Sequence, residues 1–492
     1  MANAWDQFEI LLQEFMAPSA VNLEFEDDDP GWSLMGLAEP IANAGRRRDA
    51  GTSDLNPEGL EARYDIKVQS GGRVGGGTFA GNNVVQMGAD SHLYMGQSAS
   101  AKYLDPRKTP ISSHVDVAME LMRIKGSVTI NHQQIVADLA AQSVDDVGLE
   151  VLEDSTKRLR SYVLNNWYGD GTASIATING AANITETTPV EVTLDQSGSF
   201  ARFMMGDLVV AGSDAAPFVQ RTGAISGLMR VVDIDTYNRK VKLESEPGEG
   251  TVALSDGDHL ILADSYVFNA AGTNKSNSLT AEGFESLIDN TGVYPGTTST
   301  KFNSGLNRDD HSYLKGVVID HSSSGSPTKE PTMALISEIL DNILNGGIMP
   351  PTAMLAERSI WTLYSILERE SHSMVNVPMG QAFAGAGGVA GPVLQHMEHR
   401  FQRFSSSRMR PNSIFGYAPD TWAKFIPLGD RTVRWVLGNG PLAGAGSIFG
   451  AIYDGTQLTE LADAPFNSYL QFGCKDPRRN FRLQGIKAQR DQ

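Results

Sequence analysis

The stretch that decides the fold is residues 143–168, SVDDVGLEVLEDSTKRLRSYVLNNWY. Apolar side chains recur along it at helical spacing and acidic side chains mark the opposite face, as in an amphipathic helix. Ser143 is a suitable N-cap, and Gly169 suits the left-handed residue that ends many helices. At 1.5 Å per residue the predicted helix is roughly 39 Å long. Because its apolar face carries no Cys, His or paired carboxylates, the pattern predicts a structural girder and not the wall of an active site.

The composition limits the classes of protein to which the chain can belong. With 492 residues it is too long for one compact core and should divide into about two to four modules. Its 40 basic and 58 acidic residues give a formal net charge of −18, which argues against a surface built to neutralise phosphates. The single cysteine, Cys474, excludes an internal disulfide, and we interpret it as an ordinary half-buried thiol. No apolar run approaches the ~20 residues that span a bilayer, so we expect no membrane partner.

The first 61 residues are predicted to form an N-terminal arm with little core of its own. A short helix that ends before Pro18 carries an apolar stripe, which needs a docking surface. The stripe consists of Trp5, Phe8, Leu12, Phe15 and Met16. An acidic run follows, and it contains Glu24, Glu26, Asp27, Asp28 and Asp29. The run could hold a divalent cation, but it lacks regular ligand spacing, so a solvated face or a partner for basic side chains is the favoured interpretation.

A glycine-tipped hairpin is predicted after the arm. Residues 63–68 alternate as a half-buried strand and lead into Gly71–Gly77, and residues 82–87 look like the returning strand. The tip contains Arg73, Gly75, Gly76 and Gly77. With Ala80, these glycines match a G-x-G-x-x-A phosphate cradle, but a dinucleotide site also needs a buried strand before the motif and a helix after it. We therefore favour the hairpin over a nucleotide site.

The remaining sequence alternates between strand and helix patterns. Residues 115–122 alternate as a long strand that leads into the girder helix, and short strand candidates between 190 and 264 predict a small all-β module. The last third predicts an α/β module that finishes in sheet. Before it come a linker over 269–278 and a short helical turn over 282–288. The parts of the last third are a helix that Pro331 can begin and Gly346 and Gly347 can end, a strand Ala353–Ala356, a second helix around 360–367, a glycine and alanine tract over 380–391, and strands near 433–437 and 481–484.

No motif gives a complete set of catalytic or metal-binding residues. His396 and His399 are spaced i, i+3 and not in the H-E-x-x-H order, and His311 and His321 come with no third ligand. No Walker A loop and no G-x-S-x-G elbow occurs, and the acids are scattered. We therefore predict no enzyme activity, no cofactor and no metal.

Two clusters of basic residues stand out in the last hundred residues. One contains Arg400, Arg403, Arg408 and Arg410, and the other contains Arg478, Arg479, Arg482 and Lys487. Both could touch nucleic acid. Against the acidic background, we favour salt bridges to the acidic arm of a neighbouring subunit, worth only ~0–1 kcal/mol each when exposed.

The order of these parts resembles that of the major capsid proteins of tailed bacteriophages. The matching pieces are the girder helix ending NNWYGDGT, the segments FMMGDLVV, LMRVVDIDTYNRKVKLE and LSDGDHLILA, the run GFESLIDNTGVYPGTTSTKFNSGLNR, and MLAERSIWTLYSIL. The resemblance covers most of residues 62 to 486. It implies an α+β fold of the Hong-Kong-phage type. Its parts would be an N-terminal arm (1–61), an extended loop (62–112), a peripheral domain with the spine helix (113–189), an inserted β module (190–264), a linker and return (265–329), an axial domain (330–465) and C-terminal strands (466–492).

The resemblance also implies a function. The chain would assemble with itself into hexamers and pentamers of an icosahedral shell around double-stranded DNA, in the virion after assembly in the host cytoplasm. Scaffolding, portal and decoration proteins are possible partners. Because no clear cleavable scaffolding segment precedes the arm, a separate scaffolding protein is an open expectation, and no cross-linking residues could be matched. The alternatives are an encapsulin-like compartment shell and a hydrolase with an unrecognised carboxylate site.

Overall fold

The structure is a computed structural model. It describes residues 29–41, 44–48, 55–69, 85–87, 93–95, 113–120, 122–131, 157–195, 200–213, 218–235, 238, 240–263, 265–267, 277–278, 280–294, 306–323, 326–371, 393–396, 399–425, 433–435, 450–454 and 457–487. The chain divides into two compact units. One comprises Met1–Ala62 with Met119–Gln492, and the other is Arg63–Ala118. No helix in the described ranges is long and apolar enough to cross a membrane.

The described helices are few and mostly short. They are α1 (Pro30–Leu37), α2 (157–167), α3 (Phe284–Leu287), α4 (Met333–Asn345) and α5 (Arg358–Ser371). Helix α2 is the C-terminal part of the predicted girder, and residues 143–156 lie outside the described residues. The predicted left-handed conformation of Gly169 is wrong. The amide of Gly169 donates to the carbonyl of Asn166 in a tightened last turn, and the first positive φ comes at Gly171, at 76°.

Strands make up most of the rest, so the chain is a mixed α+β protein. In chain order they are β1 (Glu39–Ile41), β2 (Ala44–Arg48), β3 (Leu55–Gln69), β4 (Val85–Met87), β5 (Leu93–Met95), β6 (Ser113–Glu120), β7 (Met122–Asn131), β8 (Ser174–Thr177), β9 (Ala182–Ile184), β10 (Val190–Thr193), β11 (Leu208–Gly212), β12 (Met229–Asp235), β13 (Lys240–Ser245), β14 (Val252–Leu254), β15 (His259–Leu262), β16 (Tyr266–Val267), β17 (Asn277–Ser278), β18 (Val293–Tyr294), β19 (Leu306–Asn307), β20 (Val317–Asp320), β21 (Ser322–Ser323), β22 (Ser326–Pro327), β23 (Ala353–Ala356), β24 (Val393–His396), β25 (His399–Ser405), β26 (Ser413–Tyr417), β27 (Trp422–Phe425), β28 (Val433–Trp435), β29 (Gly450–Asp454), β30 (Gln457–Cys474) and β31 (Phe481–Gln484).

The predicted small all-β module is an antiparallel barrel. Its six strands follow the order β10-β13-β12-β11-β15-β8, and an antiparallel bridge between Ile178 and Leu194 joins the first strand to the last. Inward side chains from all six strands form one apolar core. The barrel starts before the predicted boundary at residue 190, because β8 pairs with β15 and belongs to the same sheet. The bridge lies directly after the ends of β8 and β10, so the two edge strands meet at one end of the sheet.

The predicted α/β module is a mixed sheet with two helices. The strand order is β20-β31-β26-β23-β25-β24. Apolar side chains of α4 and α5 pack on this sheet in one core cluster, which confirms the predicted pair of helices and the strand Ala353–Ala356. The sheet also takes in β20 and β31 from outside the predicted range 330–465, because these strands pair with each other in parallel and β31 pairs with β26.

A third sheet is built on β30, the longest strand. β30 pairs with β7 over Leu461–Leu470 and with β27 over Gln471–Cys474, and β1 adds to the outer edge of β27 in parallel. This sheet joins both ends of the chain to the strand that leads into α2.

The unit Arg63–Ala118 spans nearly the same residues as the predicted extended loop. The predicted strand at 63–68 lies within β3, but the predicted hairpin is wrong, because β4 pairs with β5 and the neighbours of β3 in its sheet are β2 and β6. Alternating side chains identify a strand without identifying its partner. The glycine tip, with Arg73, Gly75, Gly76 and Gly77, lies outside the described residues.

Candidate assembly site

Residues 29–41, which we call the N-terminal strap, fasten the start of the described chain to its body. Asp29 is the N-cap of α1, where its carboxylate accepts a hydrogen bond of 2.8 Å from the amide of Gly31. Pro30 follows at the first helical position, where its fixed φ suits a helix and its missing amide costs nothing. Leu34, Met35 and Ala38 are buried. The strap is therefore part of the body and not of a loose arm.

The carboxylate of Asp29 also binds three side chains from distant parts of the chain. The hydroxyl of Tyr168, directly after α2, donates to it at 2.8 Å, and the hydroxyl of Ser406 donates at 2.7 Å. The guanidinium of Arg408 lies 3.9 Å away. Burial, and then the negative charge of Asp29, raise the pKa of Tyr168 well above its ordinary value, so this hydroxyl stays a donor at any physiological pH. We call these four residues the Asp29 clamp.

Close packing supports the clamp along the strap. A Cβ on Gly31 would lie 2.5 Å from the hydroxyl oxygen of Tyr168 and 2.8 Å from a methyl carbon of Leu164, so only glycine lets α1 approach this closely. The hydroxyl of Tyr417 donates to the carbonyl of Leu34 at 2.8 Å. The strap is thus held at its first residue, in the middle of α1 and, through β1, on the edge of β27.

Beneath the strap lies a cluster of fully buried aromatic rings, which we call the aromatic hub. Its members are Trp167, Phe284, Tyr417, Trp422 and Phe472. The ring of Trp167 lies 5.0 Å from Phe284, 5.2 Å from Trp422 and 4.6 Å from Phe472, in edge-to-face arrangements that aromatic pairs favour. These rings come from α2, α3, β26, β27 and β30. The hub therefore joins α2 to the sheet of the α/β module, through β26, and to the sheet built on β30.

Buried ion pairs add a polar layer around the hub. A carboxylate oxygen of Glu285 in α3 lies 3.5 Å from the guanidinium of Arg202, which lies between β10 and β11 of the barrel. The other carboxylate oxygen lies 3.2 Å from the guanidinium of Arg410, in the α/β module. Arg482 pairs with Asp289 at 3.4 Å, and burial lowers the pKa of this arginine. Removing one member of a buried pair leaves an uncompensated charge, so these contacts fix how the barrel, α3 and the α/β sheet meet.

Most of the predicted basic residues make contacts within the chain itself. Arg408 belongs to the Asp29 clamp and also donates to the hydroxyl of Ser161 at 2.6 Å. Arg403 is 7% exposed and lies over the ring of Trp361, which does not fit the predicted role as an exposed partner for an acidic arm. The side chain of Arg400 lies outside the described part of the chain. In the second cluster, ion pairs within the chain join Arg478 to Asp476, Arg479 to Asp420, Arg482 to Asp289 and Lys487 to Glu330.

The predicted arm residues cannot be placed in the same way. Trp5, Phe8, Leu12, Phe15, Glu26, Asp27 and Asp28 lie outside the described residues. The sequence analysis placed the next residue, Asp29, in the acidic run and missed its role as a helix N-cap, although an Asp followed by Pro is a recognised signal for a helix start. No local signal marks Tyr168 or Ser406, because they meet Asp29 only in the folded chain.

Among the described residues, one small cavity and the single cysteine were considered as candidate reactive sites. A small cavity of about 30 Å³ between α2, the barrel and residues 280–281 is lined by Asn165, Asn166 and Leu262, among others, and has room for a water molecule or two. Within the described ranges, no three His, Cys, Asp or Glu side chains converge as metal ligands. Cys474 is fully buried and not half-buried as predicted, and burial raises its pKa to about 12, so it is a poor nucleophile.

Comparison with known proteins gives matches in structure only. No family model matches the chain, and no curated protein matches its sequence. The capsid asymmetric unit of cyanophage A-1(L) matches at 10% identity with a TM-score of 0.42, over 91% of this chain and 97% of that one. The capsid of a native GTA particle matches at 6% identity and TM-score 0.38, over 92% and 90%. A structure from Mycobacterium phage Patience matches at 10% identity and TM-score 0.37, over 98% and 88%. The first of these structures is named as a phage capsid and the second as the capsid of a GTA particle.

Proposed function

We propose that this chain is a major capsid protein of a tailed bacteriophage, which assembles with itself into hexamers and pentamers of an icosahedral shell around double-stranded DNA. The observation that carries the proposal is the Asp29 clamp. It fixes the root of the first 28 residues on a rigid body, at the meeting point of α2 and the α/β module. A subunit that joins many identical neighbours needs a rigid body with attachments that leave it at defined points.

The parts of the fold support the same proposal. We assign α2 to the spine helix, the barrel to an insertion on the peripheral domain, the sheet that carries α4 and α5 to the axial domain, and the unit Arg63–Ala118 to the extended loop. Six basic residues of the two clusters, Arg408, Arg410, Arg478, Arg479, Arg482 and Lys487, form ion pairs within the chain, and the net charge is −18. Such a surface encloses DNA without trapping it by phosphate attraction.

Removal of residues 1–28 tests the proposal most directly. The shortened chain keeps Asp29 and the whole strap, so we expect an unchanged melting temperature and a circular dichroism spectrum that loses only the signal of the short helix predicted before Pro18. Without the arm, we expect it to lose the rings and shells that the full-length protein forms, alone or with its scaffold, as judged by negative-stain microscopy and sedimentation. A full-length protein that stays a monomer with a saturable small-molecule site would contradict the proposal.

Two further measurements address the extended loop and the contents of the particle. Replacing Gly75, Gly76 and Gly77 with bulky residues should leave the monomer folded and block assembly, and normal particles from this variant would remove the role given to the loop. Particles that contain a protein cargo in place of nucleic acid would favour the encapsulin-like compartment.

A further inference from the structure

The turn between β8 and β9 contains the pair Asn179–Gly180, and both residues are exposed. The backbone amide of Asn179 donates to the carbonyl of Thr193 at 2.9 Å, so the turn starts on a paired strand end. Gly180 has a φ of +92°, and no atom beyond its chain neighbours lies within 4 Å of the place that a Cβ would take. Among the described residues, no hydrogen bond holds the side-chain amide of Asn179. This side chain is therefore free to rotate towards the nitrogen of Gly180.

An asparagine that precedes a glycine can react with its own backbone. The nitrogen of the glycine attacks Cγ of the asparagine, an N–Cγ bond forms and closes a succinimide ring, the Cγ–Nδ2 bond breaks, and ammonia leaves. Water then opens the ring at either carbonyl and leaves an aspartate or an isoaspartate. Glycine favours the first step, because it has no Cβ beside the attacking nitrogen. The overall reaction exchanges a neutral amide for a carboxylate and consumes water alone.

A carboxylate lies against the nitrogen that would attack. The backbone amide of Gly180 donates to Oδ1 of Asp256 at 2.7 Å, and Asp256 is exposed. The N–H bond lies in the plane of the peptide, whereas the nitrogen attacks with electrons above or below that plane. The contact therefore leaves the attacking face open and puts a base within hydrogen-bond reach of the proton that must leave, which is the geometric requirement for general base catalysis. The proton passes from the nitrogen of Gly180 to Asp256 and from there to the departing ammonia.

A second Asn–Gly pair in the described part of the chain lacks this arrangement. Asn345 is the last residue of α4, and Gly346 after it has helical φ and ψ of −73° and −1°. The amide of Gly347 donates to the carbonyl of Leu344 at 2.8 Å, and the amide of Ile348 donates to the carbonyl of Ile343 at 3.2 Å. A succinimide can close at Asn345 only if its backbone leaves the helical conformation, which these hydrogen bonds oppose. The two pairs thus share a sequence and differ in structure.

We infer that Asn179–Gly180 is a modification site, at which the folded chain converts Asn179 to aspartate or isoaspartate through a succinimide, with Asp256 as the base. The inference does not depend on the proposed shell function, because the reaction needs only the folded turn and water. The product carries a second carboxylate next to Asp256, and like charges at this distance repel. Conversion should therefore weaken the contact between Gly180 and Asp256.

Incubation of the full-length protein at neutral pH tests this inference. Samples are digested at intervals, and mass spectrometry detects the replacement of NH₂ by OH in each peptide. We expect Asn179 to convert about tenfold faster than Asn345 or more. Asp256→Ala, which removes the base from an exposed position, should slow conversion of Asn179 by about tenfold or more, and Asp256→Glu, which returns a carboxylate, should recover part of the rate.

The same measurements in urea separate structure from sequence. In the unfolded chain, Asn179 and Asn345 should convert at similar rates, and Asp256→Ala should have no effect, because the contact with Gly180 exists only in the folded turn. Conversion of Asn179 no faster than that of Asn345 in the folded, unaltered protein would overturn the inference, and this comparison needs no variant to fold. An unchanged or faster rate in folded Asp256→Ala would overturn the role of Asp256, since its hydrogen bond would then only restrain the turn.

Discussion

The hydroxyl of Tyr168 lies 2.8 Å from a carboxylate oxygen of Asp29, 139 positions earlier in the chain. It is one of three distant side chains that hold the Asp29 clamp together. Tyr168→Phe removes this donor without changing the shape of the side chain and leaves a buried carboxylate short of one partner. We expect the free energy of unfolding to fall by about 1–3 kcal/mol, the usual cost of such a loss. Urea unfolding followed by circular dichroism measures it.

Tyr313→Phe is the control for this change. Tyr313 is only partly buried, and its ring contacts His311. Removing its hydroxyl should change the unfolding free energy by less than about 0.5 kcal/mol, as at ordinary surface positions. Equal effects at the two tyrosines would show that the hydrogen bond to Asp29 contributes nothing to stability.

Alanine substitutions at two glycines compare the cost of a steric clash with the cost of a strained backbone conformation. Gly283 has an ordinary extended φ of −116°, but a Cβ there would lie within 3.0 Å of the carbonyl oxygens of Asn166, Trp167 and Gly169. Gly180 has φ +92° with open space around it. We expect Gly283→Ala to cost about 3 kcal/mol or more, since backbone must move, and Gly180→Ala to cost about 1–2 kcal/mol.

Melting temperatures of these two alanine variants give the comparison. We expect the melting temperature to fall further for Gly283→Ala than for Gly180→Ala. If Gly180→Ala proved the more damaging change, the close approach of α3 to the end of α2 would be wrong.

Local elements were predictable where the periodic pattern is strong. Helix α4 carries buried side chains from Leu335 to Ile343 at helical spacing, and it appears within two residues of its predicted start. The strand Ala353–Ala356 and the helical turn at Phe284–Leu287 were predictable for a different reason. Each is a short apolar run with turn residues on both sides.

Long-range pairing was not predictable from these patterns. Strand β8 has four residues, and it joins the barrel only because it pairs with β15, some 80 residues later. The clamp is a similar case, since Ser406 meets Asp29 across 377 positions. The sequence pattern reports which residues prefer to be buried or to cap a helix, and tertiary packing decides which of them meet.

The buried thiol of Cys474 reports on opening of the strap. Burial raises its pKa to about 12, so a thiol reagent at pH 8 should react only when the core opens. Leu34→Ala removes a buried side chain of α1 and should cost about 2–5 kcal/mol, which raises the labelling rate about 30-fold or more if opening passes through the strap. Labelling with a chromogenic disulfide measures the rate.

Leu37→Ala on the same helix is the matched control. Leu37 is 41% exposed, so its loss should leave the labelling rate of Cys474 nearly unchanged. Equal acceleration by both variants would mean that the thiol becomes accessible by a route unrelated to the packing of the strap.

The barrel should lose stability in acid through Glu249. Burial alone would raise the pKa of this carboxyl, but hydrogen bonds from Ser226, Gly227 and Ile225 outweigh burial and lower the pKa from 4.5 to about 2. A group with a lowered folded-state pKa contributes stability above its unfolded-state pKa and loses it as the pH falls towards the folded-state value. The contribution of Glu249 should therefore be complete above pH 4.5 and decline between pH 4.5 and 2.

Glu249→Gln isolates this contribution, because the amide keeps the shape and removes the charge. At pH 7 we expect the free energy of unfolding of the variant to be lower by about 1.5–3 kcal/mol, the range for a hydrogen bond to a charged group. The difference between the two proteins should shrink as the pH falls from 4.5 to 2, measured by chemical unfolding at each pH. Glu244→Gln, which faces outward on β13, should show no such convergence. A difference of the same size at pH 6 and pH 3 would mean that the amides of Ile225, Ser226 and Gly227 do not hold a charged carboxylate.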